Sequence, residues 1–387
     1  MIRELGVRPF AGITELEQGM HHHPVDRDGH SPTSPATQCE SAMVSRRGFV
    51  VSGAAALGAV LLGGGQRAIA ASPHRIDVHH HVIPPPYLEK APPSANFQRT
   101  WAWTPQKTLE EMDRNGIAVS MLSFATPYLW FSGIEPGRQL ARMCNDYCAE
   151  QMRENVGRLG LFAGLPPLDD TEGCLREIAY AFETLHADGV TVMTSYGDHY
   201  LGDAAYAPVW QELDRRQAVV FVHPSNPTCC NPVNVGVPSA FAEWPFDTAR
   251  TVMSLWVSNA LLRWPHVRFI FSHGGGALPM IADRIDKFGR PDPGAGPNGP
   301  RLHDALSQIR ALYFDTANAA NPPALAATRA MAEPGHILFG TDCPFVPASR
   351  AVDDLARAQL SRQELRGIER DNAIALMPQL GTLGRQA

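Results

Sequence analysis

RIDVHHHV, residues 75–82, reads as a short β-strand that carries a polar set, Asp77, His79, His80 and His81. Side chains alternate along a strand, so Asp77, His79 and His81 share one face while His80 points the other way. Two imidazoles two residues apart on one face can grip a single metal ion. They do so only if the rest of the chain brings further ligands beside them.

Seven more runs of the same kind follow: VSMLSFA (119–125), LGLFAGLP (159–166), GVTVMTSY (189–196), AVVFVHPS (218–225), VRFIFSHG (267–274), LYFDTA (312–317) and ILFGTDCPF (337–345). Amphipathic stretches lie between them. They include TLEEMDRNG (108–116) with its Asn-Gly stop, RQLARMCNDYCAEQMREN (138–155), TEGCLREIAYAFETLHADG (171–189) and FDTARTVMSLWVSNALLRW (246–264). Cys144 and Cys148, four apart, mark a buried helix face. Alternation of eight strands with helices over roughly 300 residues predicts an α/β fold, a (β/α)8 TIM barrel. A doubly wound open sheet would bring fewer units and a glycine-rich phosphate loop, and no G-x-G-x-x-G follows the first strand.

In such barrels chemistry sits at the C-terminal strand ends. Strand one ends in His79-His80-His81, strand five in His223, strand six in His273 and strand eight in Asp342. His79, His81, His223 and Asp342 are therefore the expected metal ligands, with one position left for water or substrate. His273, whose type titrates near neutrality, is the expected mobile proton carrier, with Asp342 as its catalytic partner. Asp77, one step deeper, is expected to support the ligands by fixing an imidazole tautomer.

In the loop ANFQRTWAWTP, Arg99 could clamp a carboxylate while Trp101 and Trp103 stack on a ring. Phe124, Tyr128, Trp130 and Phe131 either extend that pocket or pack in the core. Glu243, Asp247 and Arg250 open the helix after strand five, where acids suit the macrodipole. Gly274-Gly275-Gly276 allows a sharp turn close to the site.

The chain has 387 residues, a net charge of −6, 44% hydrophobic and 19% charged residues. There is no basic footprint for nucleic acid, so a small molecule is the expected partner. Seven cysteines without paired C-x-x-C spacing argue against zinc fingers and redox motifs. Residues 1–42, rich in Pro, Ser, His and Gly, read as a disordered or non-native extension, His21-His22-His23 included. Residues 43–70 read as a twin-arginine signal peptide. Ser45-Arg46-Arg47-Gly48-Phe49-Val50 precedes a mildly apolar run too short for a stable membrane span, and Ala68-Ile69-Ala70 offers a cleavage site. Met43 is then the expected start of translation, and the mature barrel, residues 71–387, is expected outside the cytoplasm.

Together D-x-H-x-H (Asp77, His79, His81), F-V-H-P, F-S-H-G-G-G-A-L-P and F-G-T-D-x-P-F resemble the amidohydrolase superfamily, and within it the aminocarboxymuconate-semialdehyde decarboxylase branch. RIDVHHHVIPP, TWAWTP and EEMDRNGIA are most similar to the 6-methylsalicylate decarboxylases of that branch. The resemblance implies a metal-dependent, non-oxidative decarboxylase of a small aromatic or enol acid, without nucleotide or organic cofactor. It makes His79, His81, His223 and Asp342 zinc ligands and His273 the general acid/base. Histidine at the first ligand position favours Zn2+ over Mn2+, since manganese-using dihydroxybenzoate decarboxylases carry Glu there. It also implies a homo-oligomer. Ser225-Asn226-Pro227 departs from the Trp-Asp of the aminocarboxymuconate enzymes, which argues against that substrate. A hydrolase of a lactone, ester or amide would use the same residues, and a metal-binding scaffold without turnover is the non-enzymatic alternative.

Overall fold

A computed structural model describes residues 74–91, 102–129, 133–230, 236–292, 299 and 301–383. The expectations for residues 1–42 and 43–70, and those for Arg99, Trp101, Trp130 and Phe131, lie outside the described residues.

Eight parallel strands follow one another in chain order around the sheet. They are β1 (Arg75–His81), β2 (Ile117–Ser123), β3 (Leu159–Gly164), β4 (Gly189–Met193), β5 (Val219–His223), β6 (Arg268–Phe271), β7 (Tyr313–Asp315) and β8 (Ile337–Leu338). A principal helix follows each: α1 (Pro105–Arg114), α2 (Ile134–Glu154), α3 (Thr171–Glu183), α4 (Ala207–Arg215), α5 (Ser239–Val257), α6 (Leu278–Phe288), α7 (Pro322–Met331) and α8 (Ala348–Arg357). All eight predicted strands are present, and the predicted (β/α)8 architecture is the observed one. The run read as one strand over 189–196 ends at Met193, and Ser195–Tyr196 pairs instead with His199–Tyr200 as a small antiparallel hairpin.

The sheet closes where β1 meets the segment after β8. Val78 donates its amide to Phe339 O at 2.9 Å, His81 to Cys343 O at 2.6 Å, and Asp342 to His79 O at 2.8 Å. Closure therefore brings Asp342 beside the histidines of β1. Inside the barrel Phe162 and Phe221 stack, ring centroids 5.7 Å apart, and His79 stands edge-on to Phe221 at 4.9 Å. Cys144 and Cys148 are fully buried on α2, as their spacing predicted.

One helix begins earlier than its sequence suggests. The periodic run reads from Phe246, but α5 begins at Ser239 and carries Pro245 in its interior. Asp247 is thus two turns into the helix and wholly buried, rather than a first-turn acid serving the macrodipole. The predicted run to Trp264 breaks at Asn259, whose φ of 63° puts it in the left-handed region, before a short turn over Ala260–Arg263.

Asp77 helps hold the closure. Its Oδ1 accepts the amides of His79 and Thr341, each at 3.1 Å, and its Oδ2 accepts the Thr341 hydroxyl at 2.7 Å. Asp77 thus supports the ligands through the backbone, and the imidazole it faces is that of His80, Nδ1 to Oδ2 3.4 Å, not one of the ligand rings. Removing this buried carboxylate strands several donors, each costing about 1–3 kcal/mol. Asp77→Ala is expected to lower unfolding stability by about 3 kcal/mol, read as a shifted urea midpoint at unchanged slope.

Candidate metal centre

His79 and His81 come from β1, His223 from the last position of β5 and Asp342 from the loop after β8. All four are buried, and one candidate ligand atom from each lies within 4.8 Å of the others. His79 Nε2 is 3.0 Å from His81 Nε2, and Asp342 Oδ1 is 3.4 Å and 3.1 Å from the same two nitrogens. Ligands on a tetrahedral ion at about 2.0–2.1 Å stand roughly 3.3 Å apart. The spacing among His79, His81 and Asp342 is of that size, with His223 closing the set within 4.8 Å.

Each ring has its other nitrogen engaged. His79 Nδ1 lies 2.8 Å from Asp315 Oδ2, and His223 Nδ1 donates to Pro224 O at 2.9 Å. His81 Nδ1 meets Ser123 Oγ at 3.2 Å, and that hydroxyl donates to His80 O at 3.0 Å, so it accepts from the ring. A carboxylate, a carbonyl and an occupied hydroxyl all select the Nδ1–H form. Three bare Nε2 lone pairs therefore face one another, two of them 3.0 Å apart, which is repulsive unless a proton or a cation lies between them. The donor set fits a divalent ion.

Protonation follows the same geometry. Burial pushes the His79 imidazole down, but the Asp315 and Asp342 carboxylates overturn that and raise it to about 10. Burial, with His79 beside it, takes His81 down to about 4. His223 is held well below its usual range by burial and by the neighbouring rings. Burial would raise Asp342, but the facing imidazoles of His273, His79 and His81 hold it well below the carboxylate range. Without an ion, the cluster thus keeps a proton on His79, facing the neutral His81.

His273 sits beside this set, in the turn after β6. Its Nε2 is 3.6 Å from Asp342 Oδ2 and makes no hydrogen bond among the described residues. Its amide donates to Asp315 Oδ1 at 3.0 Å. The next three glycines all have positive φ, and a Cβ on Gly276 would stand 2.4 Å from Pro245 O. The expected sharp turn is therefore one that only glycine can make there. His273, Asn318 and Asp342 are themselves left-handed, with φ of 56°, 54° and 65°. Strain of this kind gathers at functional sites, where surrounding contacts hold it in place.

Three contributors were missed in the sequence. Asp315 binds both the His79 ring and the His273 backbone, Asn318 donates to Asp342 Oδ2 at 2.7 Å, and Ser123 holds His81. The signal for Asp315 was present: it ends β7 as His223 ends β5.

His80 points away from the cluster, its Nε2 lying 3.1 Å from Thr108 Oγ1. Trp103 donates to the same hydroxyl at 2.9 Å and lies edge-on to Tyr147, which anchors it in the helix layer behind His80. Phe124 is buried in the core, and the buried Tyr128 donates its hydroxyl to Thr191 O at 2.7 Å. Among the described residues, no helix is long and apolar enough to cross a membrane.

Comparison with known proteins agrees with this fold. The amidohydrolase family model matches residues 76–378. Decarboxylase yanB of Aspergillus niger is 38% identical over 325 residues, covering 79% of this chain and 87% of its own length. A 6-methylsalicylic acid decarboxylase of Penicillium expansum is 35% identical over 318 residues, covering 79% and 97%. The fold also superposes, at a TM-score of 0.68 and 22% identity, on a dihydroxybenzoic acid decarboxylase from Polaromonas with bound manganese, over 79% of this chain and 97% of that one.

Asp315→Asn is expected to weaken divalent-ion binding about 10- to 100-fold, as loss of a partner behind a ligand does, in competition with a chelating dye. Because an ion must displace the His79 proton, binding should acidify weakly buffered solution. Affinity should rise about tenfold per pH unit while that proton is exchanged.

Proposed function

The chain belongs to the amidohydrolase family, and we propose that it acts there as a metal-dependent, non-oxidative decarboxylase of a small phenolic acid such as 6-methylsalicylate. The observation that carries this reading is the convergence of three imidazole Nε2 atoms and one carboxylate beside His273, whose Nε2 lies 3.6 Å from Asp342 Oδ2. The similarity to the Penicillium expansum enzyme supports the substrate class. Zinc is the ion we assign, since three imidazoles and a carboxylate suit it. Manganese is second, as in the Polaromonas structure.

When bound, the ion supplies a Lewis acid for the substrate carboxylate and its neighbouring ring oxygen. His79, His81, His223 and Asp342 hold it. Phe345 tilts over His81 with centroids 5.2 Å apart, and Trp244 stands edge-on to His223 at 5.5 Å, so aromatic faces border the site. The His273 Nε2–Asp342 Oδ2 pair carries the proton that reaches the ring carbon bearing the carboxylate. As that C–H bond forms, the bond to the carboxylate breaks, its electron pair restores the aromatic ring and CO2 departs. Solvent returns the proton to the pair. No oxidant or reductant is required.

Metal-reconstituted protein is expected to release CO2 and the matching phenol from 6-methylsalicylate. His273→Asn should cut turnover about 10²- to 10⁴-fold at unchanged metal content. Hydrolysis of lactones or esters without any CO2 from phenolic acids would refute the reading.

We further propose that residues 43–70, with Met43 as start, direct twin-arginine export, and that the mature protein works outside the cytoplasm as a homo-oligomer. Changing Arg46 and Arg47 together to Lys should retain the protein in the cytoplasmic fraction. Export unaffected by that change would overturn the assignment.

A further inference from the structure

A cavity of about 230 Å³ opens at the C-terminal ends of β2 to β5, lined by Thr126, Met193, Ser195, Tyr196, Ser225 and Asn226, among others. It lies beside His223, on the Nδ1 side of that ring. Thr126 donates its hydroxyl to Pro224 O at 2.7 Å, the same carbonyl that takes His223 Nδ1, and Ser225 is the next residue.

Behind this wall lies Asp247, a wholly buried carboxylate the reaction above does not use. Tyr200 donates to its Oδ1 at 2.8 Å. Its Oδ2 accepts the Thr194 hydroxyl in a short hydrogen bond and lies 3.2 Å from Ser195 Oγ and 3.4 Å from Ser225 Oγ. Ser195 Oγ and Ser225 Oγ are 2.8 Å apart, and Thr194 Oγ1 accepts the Ser225 amide at 2.9 Å. A hydroxyl has one proton to give, and a carboxylate only accepts. Thr194 therefore spends its proton on Asp247, Ser195 does the same, and Ser225 donates to Ser195. In the alternative arrangement Ser195 donates to Ser225, which donates to Asp247. Either way the hydroxyl protons of Thr194, Ser195 and Ser225 are turned inward, and the Ser225 oxygen presents a lone pair to the cavity.

We propose that Ser225, oriented by Asp247 through Thr194 and Ser195, is a specificity-determining acceptor for a hydrogen-bond-donating substituent, a ring hydroxyl, on the acid substrate. This rests on the decarboxylase reading and narrows its substrate class. Asn226, whose Oδ1 accepts the Trp244 indole at 2.6 Å, adds an amide to the same rim. A hydroxyl can donate to Ser225, whereas a methoxy group or a second carboxylate meets the Ser225 lone pair with one of its own, the Asp247 charge lying behind it. The remaining lining, Met193, Tyr196, Pro127 and Pro167, suits an aromatic ring. Asp247 acts through the hydroxyls, as a positioning residue.

The test uses the metal-loaded full chain and salicylates bearing one further hydroxyl at each remaining ring position, with the matched methoxy compounds. Calorimetric binding and CO2 release are both read. One ring position is expected to favour hydroxyl over methoxy roughly tenfold. In Ser225→Ala that ratio should fall to near one. Asp247→Asn puts an amide donor at the end of the chain and lets the Ser225 proton turn outward, so the preference should shift towards methoxy. Thermal melts establish that the variants fold, and the Ser225→Ala ratio decides the matter if Asp247→Asn does not. No hydroxyl preference at any position, or one that survives Ser225→Ala, would overturn the proposal. A binding preference lost in Ser225→Ala without CO2 release from any acid would leave the acceptor in place and sink the decarboxylase reading instead.

Discussion

The carboxylate of Asp315 couples the two halves of this site. It is fully buried at the end of β7, and its Oδ2 holds the His79 ring at 2.8 Å while its Oδ1 takes the amides of His273 and Ala317. One side chain thus sets the tautomer of a metal-type ligand and the position of the neighbouring His273. A buried carboxylate is costly unless its lone pairs are filled, and here donors from three strand ends fill them. Those donors occupy the right places only when β1, β6 and β7 are in register.

Barrel closure has a similar double consequence. The hydrogen bonds joining β1 to the segment after β8 complete the sheet and also deliver Asp342, with its left-handed backbone, to the Nε2 atoms of His79 and His81. Asp77 and Thr341 lock that joint from below. Stability and ligand geometry therefore depend on the same few contacts. The apolar floor of Phe162 and Phe221 keeps water from the deep side of the cluster, where charge interactions are correspondingly stronger.

Asp315 and Asp247 show one device used twice. Each is a buried acceptor that fixes which way neighbouring protons point. Asp315 turns the His79 lone pair towards the ion site, and Asp247 turns the Ser225 lone pair towards the adjoining cavity. One arrangement prepares a cation site and the other a place for a donor.

Much of this was legible in the letters because its causes are local. Alternation along RIDVHHHV put His79 and His81 on one face and His80 on the other, and eight strand-like runs separated by helical ones sufficed for the barrel. Residues at strand ends then had to meet at one mouth, which brought His223, His273 and Asp342 to β1. What stayed hidden depends on distant partners. Asp315 reaches His79 across 236 positions of chain, Asp77 turned to backbone amides rather than to a ligand ring, and Asp247 sank into the middle of a helix that begins seven residues before its periodic run, at Ser239 rather than Phe246. A hydrogen bond is decided over tenths of an ångström by register between strands and by packing of helices against them, and no periodicity in one segment encodes that. Composition and alternation state which residues face the mouth, and only the closed barrel states which atoms meet there.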